Sequence, residues 1–232
     1  MLVSRAAFAI VSAIAIALMA ATAQAQTAPT RDEIAVYAGL HEAAAKGDVA
    51  EIEKLIAEGE RVNVQDARSR TPLMVAVYLK KHDAARALLK AGANPNTLDV
   101  DRYDIVTIAA VANDAEMLKL ALENGGSAKN ITSRYNGTAL IAAAHLGHAE
   151  VVKLLIAAKS PLNHVNSLGW TALMEAVVLG NGGANHTATV KALVEAGADV
   201  NIADRQQVTP LQHARRRGYT EMARILEAAG AR

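Results

Sequence analysis

The apolar positions of this chain follow one pattern that returns at regular intervals. From Gly137 to Asn163 the sequence reads GTALIAAAHLGHAEVVKLLIAAKSPLN. An alanine-rich apolar block is followed by a glycine and then by apolar residues that recur every three to four positions, the spacing of an amphipathic helix. The same order of blocks returns from Trp170 as WTALMEAVVLG and, further on, ATVKALVEAGADVN. The chain is therefore predicted to repeat a unit of two short helices joined by a turn.

The first apolar residue of each alanine-rich block gives the period of the repeat. Successive steps of 33, 33, 34, 33 and 38 positions separate Leu40, Leu73, Val106, Leu140, Leu173 and Leu211. The extra residues of the long step lie in NGGANH, residues 181–186. We interpret them as a flexible, tolerated loop, with a second partner contact as the alternative. Six stacked units follow, each of which buries its apolar face against its neighbours.

Capping residues mark where the first helix of each unit begins. A threonine stands at this position in four units, at Thr71, Thr138, Thr171 and Thr209. Its hydroxyl can accept a hydrogen bond from an unpaired amide of the first turn. The third unit lacks the threonine, so Asp104 is predicted to cap its helix. The turn that ends the first helix carries Gly or Asn in most units, but Lys80 stands there in the second, where we expect either strain or a different closure of the turn.

The repeated segments resemble the ankyrin repeat family. The matching segments include TPLMVAVYLKKHDAARALLKAGANPN, GTALIAAAHLGHAEVVKLLIAAKSPLN and VTPLQHARRRGYTEMARILEAAGA. The resemblance implies an all-α solenoid of about six helix-turn-helix units, joined by short β-turn or hairpin loops, over residues 32–232. The implied units are approximately residues 34–66, 67–99, 100–133, 134–166, 167–204 and 205–232.

The first 25 residues differ from the rest of the chain. Arg5 precedes an uncharged apolar run that closes with Ala-Gln-Ala at Ala25, the pattern of a signal-peptidase site. We expect residues 1–25 to be a cleaved bacterial signal peptide, with a retained membrane anchor as the alternative. Residues 26–31 are expected to be a short disordered lead-in. The protein is thus predicted to be periplasmic, without stable membrane insertion after cleavage.

Composition and motifs argue against several classes of function. After residue 25 the chain holds 23 Lys+Arg (24 minus Arg5) and 23 Asp+Glu, a neutral balance that is not typical of nucleic-acid binding. It has no cysteine, no Gly-x-Ser-x-Gly elbow and no glycine-rich phosphate loop. We predict a protein that is not an enzyme, with no catalytic residue, metal or cofactor. The spacing of His145 and His148 leaves a metal site as an alternative.

The resemblance implies that a partner binds on the concave side of the stack, against the turn tips and the outward positions of the first helices. Three of the six aromatic residues after residue 25 stand at successive tips, and aromatic residues often dominate interface energies. Packing between repeats is the alternative for these residues and for the apolar row beside them. The predicted partner-binding residues are Tyr78, Leu79, Arg102, Tyr103, Val111, Arg134, Tyr135, His145, Leu146, Trp170, Val178 and Leu179.

The predicted function is a non-enzymatic scaffold for protein–protein interaction. It is expected to hold a partner protein or peptide, predicted to be an envelope protein, in its concave groove and to support an envelope or stress-defence enzyme. A toxin-neutralising, immunity-type inhibitor is the alternative, and a small-ligand or metal binder is the third possibility. The chain is expected to be a monomer.

Overall fold

This computed structural model describes residues 26–232 of the chain. They contain thirteen short helices connected by turns and loops. In chain order they are α1 (Arg31–Ala35), α2 (Gly39–Lys46), α3 (Val49–Ala57), α4 (Pro72–Tyr78), α5 (His82–Lys90), α6 (Ile105–Val111), α7 (Ala115–Glu123), α8 (Ala139–Leu146), α9 (Ala149–Ala157), α10 (Ala172–Val178), α11 (Ala184–Glu195), α12 (Pro210–Arg216) and α13 (Thr220–Ala228). The predicted signal peptide and its cleavage site lie outside the described residues. No described helix has the length and apolar character needed to cross a membrane.

The helices from α2 onward alternate between two layers. The first helices of the units, α2, α4, α6, α8, α10 and α12, pack against one another in chain order, and each also packs against the second helix of its own unit. Alanines such as Ala143 and Ala144 are fully buried between them. Because alanine adds so little bulk, neighbouring helices can approach closely. The predicted all-α solenoid is confirmed.

The predicted caps form as the sequence indicates. The Thr138 hydroxyl accepts a hydrogen bond from the Ile141 amide at 3.3 Å. In the third unit, the Asp104 carboxylate accepts one from the Thr107 amide at 2.8 Å. Lys80 has a φ of 55°, in the left-handed region that costs a residue with a side chain more than it costs glycine. The strain predicted for that turn is therefore present in the backbone.

The prediction for residues 181–186 was wrong. They do not form a flexible loop throughout, because α11 already begins at Ala184 and runs for 12 residues, against nine in α9. The His186 ring lies against Gly147, where a Cβ atom would come within 2.9 Å of it. The Nε2 atom of His186 is also 3.0 Å from the His145 carbonyl. His186, in the part of the insertion that is helical, therefore packs against the preceding unit.

The expected disorder of residues 26–31 was also wrong. Thr30 caps α1 and forms a reciprocal capping box with Glu33. Glu33 in turn lies 2.9 Å from the guanidinium of Arg70, whose side chain is 2% exposed. A buried guanidinium must be paired to avoid a large desolvation penalty. The ion pair between Glu33 and Arg70 therefore attaches α1 to the stack. Pro29, just before α1, is also buried.

Candidate functional site

The concave side is bordered by five turn tips, residues 66–70, 99–103, 132–136, 166–170 and 204–207. Most tips begin with an Asp or Asn whose side-chain oxygen accepts two backbone amides of its own turn. The Asp99 oxygen accepts from Asp101 at 3.0 Å and from Tyr103 at 2.8 Å. The Asn166 oxygen does the same for Leu168 at 2.9 Å and Trp170 at 3.1 Å. These local bonds fix the direction in which each tip projects.

Side chains of the first helices also form hydrogen bonds with residues of the tips. The Tyr78 hydroxyl donates to the Asp99 carboxylate at 3.1 Å, and the His213 ring lies 2.7 Å from the Asp204 carboxylate. Burial, together with the Asp99 charge, raises the pKa of Tyr78 well above its usual value. Tyr78 was predicted as a partner-binding residue because it is an aromatic residue on the outward side of a first helix, and its binding of a partner stays a prediction. In the structure its hydroxyl is bonded to a tip.

A groove of about 510 Å³ opens between the third and fourth units. The tips supply one wall, α6 and α8 supply the floor, and the segment before α1 lies at the groove as well. The residues that line it are Gln26, Thr27, Ala28, Tyr103, Thr107, Val111, Thr132, Ser133, Tyr135, Thr138, Ala142, His145 and Leu146. Leu146 is 40% exposed.

One side chain of the groove is oriented by a buried carboxylate. His145 Nδ1 lies 2.9 Å from Oε2 of Glu175, whose side chain is only 4% exposed. The other oxygen of Glu175 accepts a hydrogen bond from the Asn166 amide at 2.9 Å. The carboxyl group of Glu175 thus contacts both the His145 ring and the Asn166 side chain, and Nε2 of His145 has no hydrogen-bond partner among residues 26–232. The arrangement suits recognition of a polar group, and no hydroxyl of the described residues is bonded to the ring as a nucleophile would be.

The structure brings five of the twelve predicted residues together in the groove: Tyr103, Val111, Tyr135, His145 and Leu146. Two of the twelve do not have the exposure that was predicted. Tyr103 is only 3% exposed, and burial raises its pKa to about 12. Val178 is only 4% exposed at the end of α10, although it was predicted at an outward position.

The other seven predicted residues, which include Tyr78 and Val178, lie outside the groove. Arg102 and Arg134 are exposed at the tips, and the Arg134 guanidinium is 3.4 Å from the Asp101 carboxylate. Leu79 and Leu179 are half-buried at the ends of α4 and α10, and Trp170 is half-buried at its tip. Partner binding by these residues stays a prediction.

Sequence reasoning missed the residues that complete the groove. Thr107 and Thr138 were not predicted to line it, although Thr138 was recognised as a helix cap, whereas Thr132 belongs to a turn tip that was expected on this side. The short segment Gln26–Ala28 carries no periodic pattern that could have placed it there. Within residues 26–232, no group of three or more His, Asp or Glu side chains is arranged to hold a metal ion.

Comparison with known proteins covers most of the described chain. A family model described as ankyrin repeats in three copies matches residues 40–133 and 106–204, and one for many copies matches residues 183–227. Ankyrin repeat protein YahD of Escherichia coli (strain K12) is 34% identical over 82% of this chain and 94% of its own.

Two solved structures extend this comparison. An ankyrin repeat domain from Acinetobacter baumannii AYE is 44% identical with a TM-score of 0.80, over 83% of this chain and 98% of that one. A chain from the complex of a predatory endopeptidase of Bdellovibrio bacteriovorus with an immunity protein is 24% identical, with a TM-score of 0.70 over 83% of this chain and 98% of that one. Because the identity to the chain from the Bdellovibrio complex is only 24%, the similarity shows a shared fold and nothing more.

Proposed function

The chain belongs to the ankyrin repeat family, and we propose that it is a periplasmic, non-enzymatic scaffold whose concave groove binds an extended segment of a partner protein. Ankyrin repeats typically serve as protein–protein interaction scaffolds, and the matched family models describe repeats of this kind. The observation that carries the finer proposal is the groove between α6 and α8. It joins an exposed leucine, an aromatic tip and an oriented histidine in about 510 Å³.

The composition of the groove favours a peptide as the occupant. Its lining contains no Lys, Arg, Asp or Glu, and it offers apolar contacts from Val111 and Leu146 with the aromatic ring of Tyr135. Such a lining lowers the desolvation cost of binding, because few charges have to be stripped of water. His145 adds one directional polar contact, which can fix the register of the bound segment.

The proposed compartment is supported by the pattern of residues 1–25. An apolar run that closes with Ala-Gln-Ala is typical of a signal peptide that is cleaved after Ala25. Fractionation of the native cells and N-terminal sequencing test this part of the proposal. A periplasmic product that begins with Gln26 is expected, and a cytoplasmic product that retains residues 1–25 would refute it.

Site-specific photocrosslinking in the native envelope tests the groove. A photoreactive residue is placed at Leu146, which is 40% exposed in the groove, or at Val165, which is 45% exposed and does not line it. We expect a crosslinked partner from position 146 and none of the same mass from position 165. Equal yields from the two positions, or a product from position 165 alone, would refute binding in the groove.

The identity of the crosslinked partner separates the proposed scaffold from its alternatives. An envelope protein or a stress-defence enzyme is the expected product. Capture of a single toxin whose activity is abolished in the complex would instead establish the immunity-type inhibitor. A small-ligand or metal binder would give no protein adduct at position 146, and elemental analysis or native mass spectrometry would then detect the bound species.

A further inference from the structure

The groove is already contacted by the protein's own chain. We call residues Gln26–Ala28 the strap. All three strap residues line the same groove as Tyr135 and Leu146. The strap has no helical or strand structure, and the Gln26 side-chain amide donates to the Thr107 carbonyl of α6 at 3.0 Å. A non-helical stretch of chain thus borders the space in which the proposed partner segment would bind.

Within residues 26–232, the firm contacts of the strap lie at its α1 end. At the α1 end, Pro29 is buried, and Glu33 and Asp66 approach the Arg70 guanidinium at 2.9 Å and 2.7 Å. Such charge-assisted contacts are stronger than neutral hydrogen bonds.

Over the groove itself the polar contacts of the strap are weaker. The Thr27 hydroxyl is 3.4 Å from the Asp101 carboxylate, and the Thr27 carbonyl is 3.5 Å from Arg70 Nη1. Both distances lie at the limit of a hydrogen bond. The hydrogen bond from Gln26 to Thr107 is therefore the main polar contact between the strap and the groove. The strap can therefore leave the groove while α1 stays in place.

We propose that the strap is an internal ligand of the groove and that a partner segment of the same chemistry displaces it. The proposal rests on the proposed function, since it names the chemistry of the segment that the groove takes. That segment is extended and uncharged, has small side chains, and carries one side-chain amide that donates to the Thr107 carbonyl.

The composition of the two surfaces agrees with this chemistry. The strap reads Gln-Thr-Ala and carries no charged side chain, and the lining of the groove contains no Lys, Arg, Asp or Glu. The Thr107 carbonyl belongs to the first turn of α6, and a carbonyl oxygen with two lone pairs can accept a second hydrogen bond from a ligand. An internal competitor lowers the apparent affinity for a partner, which is the intrinsic affinity multiplied by the fraction of molecules whose groove is free.

The occupancy of the groove by the strap can be measured without any partner. The chain has no cysteine, so Ala28→Cys in the 26–232 chain can carry a single nitroxide. We expect strong paramagnetic broadening of the amide resonances of Val111, Tyr135 and Leu146. The matched control, Ala50→Cys on the exposed surface of α3, should leave them sharp.

Two results of this measurement would overturn the proposal. The first is the absence of broadening at the groove when position 28 carries the label. The second is broadening that appears only between labelled and isotope-enriched copies in a mixed sample, because the strap would then fill the groove of another molecule. Neither result depends on the envelope crosslinking experiment, so failure of the strap and failure of the proposed function are distinguishable.

Displacement is tested with a peptide of the strap sequence, acetyl-Gln-Thr-Ala-Pro-Thr-amide. The host is the 26–232 chain with Gln26→Ala and Thr27→Ala, compared with the chain of natural sequence. Both should fold, because α1 and Arg70 are unchanged. We expect the peptide to shift the groove resonances of the variant at about tenfold lower concentration, since its internal competitor is weakened. Equal binding to both chains, or no binding to either, would overturn the proposal.

Discussion

His145 and Glu175 connect the fourth and fifth units beneath the groove, with Nδ1 of the ring 2.9 Å from the carboxylate oxygen Oε2. The same carboxylate accepts a hydrogen bond from Asn166, which begins the next turn tip. One buried side chain therefore positions both a groove residue and a tip. The shape of the groove depends on the fifth unit even though that unit does not line it.

Glu175→Ala is expected to destabilise the fold by about 1–3 kcal/mol, because it leaves the buried side-chain amide of Asn166 without its acceptor and removes the partner of the half-buried His145 ring. Urea unfolding of the 26–232 chain measures the change. Glu150→Ala is the matched control, since the Glu150 side chain is 65% exposed and should contribute little. Similar losses in the two variants would contradict the role assigned to the buried carboxylate.

Leu155→Ala tests the assignment of the core. Leu155 is fully buried on α9, and truncation of such a leucine costs about 2–5 kcal/mol through lost burial and the cavity left behind. Leu154, one position earlier, is only half-buried and should lose less when it is replaced by Ala. A thermal melt that ranks the two variants in the opposite order would show that the buried face of α9 is misassigned.

The attachment of α1 should depend on pH. The hydrogen bond from the Thr30 amide, with the Arg70 guanidinium, lowers the pKa of Glu33. A depressed folded-state pKa means that the stabilisation is complete above the unfolded value of about 4.3 and is lost as pH falls through the folded value. We expect Glu33→Gln to lower the unfolding free energy by about 1 kcal/mol at neutral pH, after solvent screening.

Denaturant unfolding at neutral pH and at about pH 3 measures this difference, which should shrink at the acid pH. The exposed Glu53→Gln is the control for general charge effects. If the unfolding free energies of the natural sequence and Glu33→Gln differ by the same amount at both pH values, the ion pair is not the cause of the difference.

The two groove tyrosines should behave differently on truncation. Tyr103 is 3% exposed, so Tyr103→Ala should cost about 3 kcal/mol of stability, in the range of a buried aromatic residue. Tyr135 is half-buried in the groove wall, and Tyr135→Ala should weaken partner binding by about 1–4 kcal/mol with a smaller effect on the melt. Calorimetry and thermal melts on both variants separate the two roles, and a reversed pattern would contradict the assignment.

The repeat and its helices could be predicted from the sequence because each depends on local rules. The apolar spacing around Leu155 fixes a buried helix face, and the caps at Thr138 and Asp104 need only neighbouring residues. The exposure of groove residues could not be predicted in the same way. Whether Tyr103 or Val178 is buried depends on what packs over it, and that partner comes from another part of the chain.

The strap is the clearest example of a feature that could not be predicted from the sequence. Residues 26–28 are uncharged, short and without periodicity, so the sequence alone indicates disorder. Their order depends on Thr107 and Arg70, which lie 81 and 43 positions from the strap residues that they contact. A buried arginine needs acidic partners, and this need could have indicated that the segment near Glu33 packs on the stack. The position of Arg70 at a turn, however, did not indicate that it is buried.

The affinity of the crosslinked partner for groove variants tests the central claim most directly. Isothermal titration compares the 26–232 chain with Leu146→Asp and with Val165→Asp, two exposed apolar positions of similar exposure, one inside the groove and one outside it. If the groove is the binding surface, Leu146→Asp lowers the affinity at least about tenfold, a loss of about 1.4 kcal/mol, and Val165→Asp leaves it unchanged. Unchanged affinity in Leu146→Asp, or an equal loss in both variants, would contradict the account.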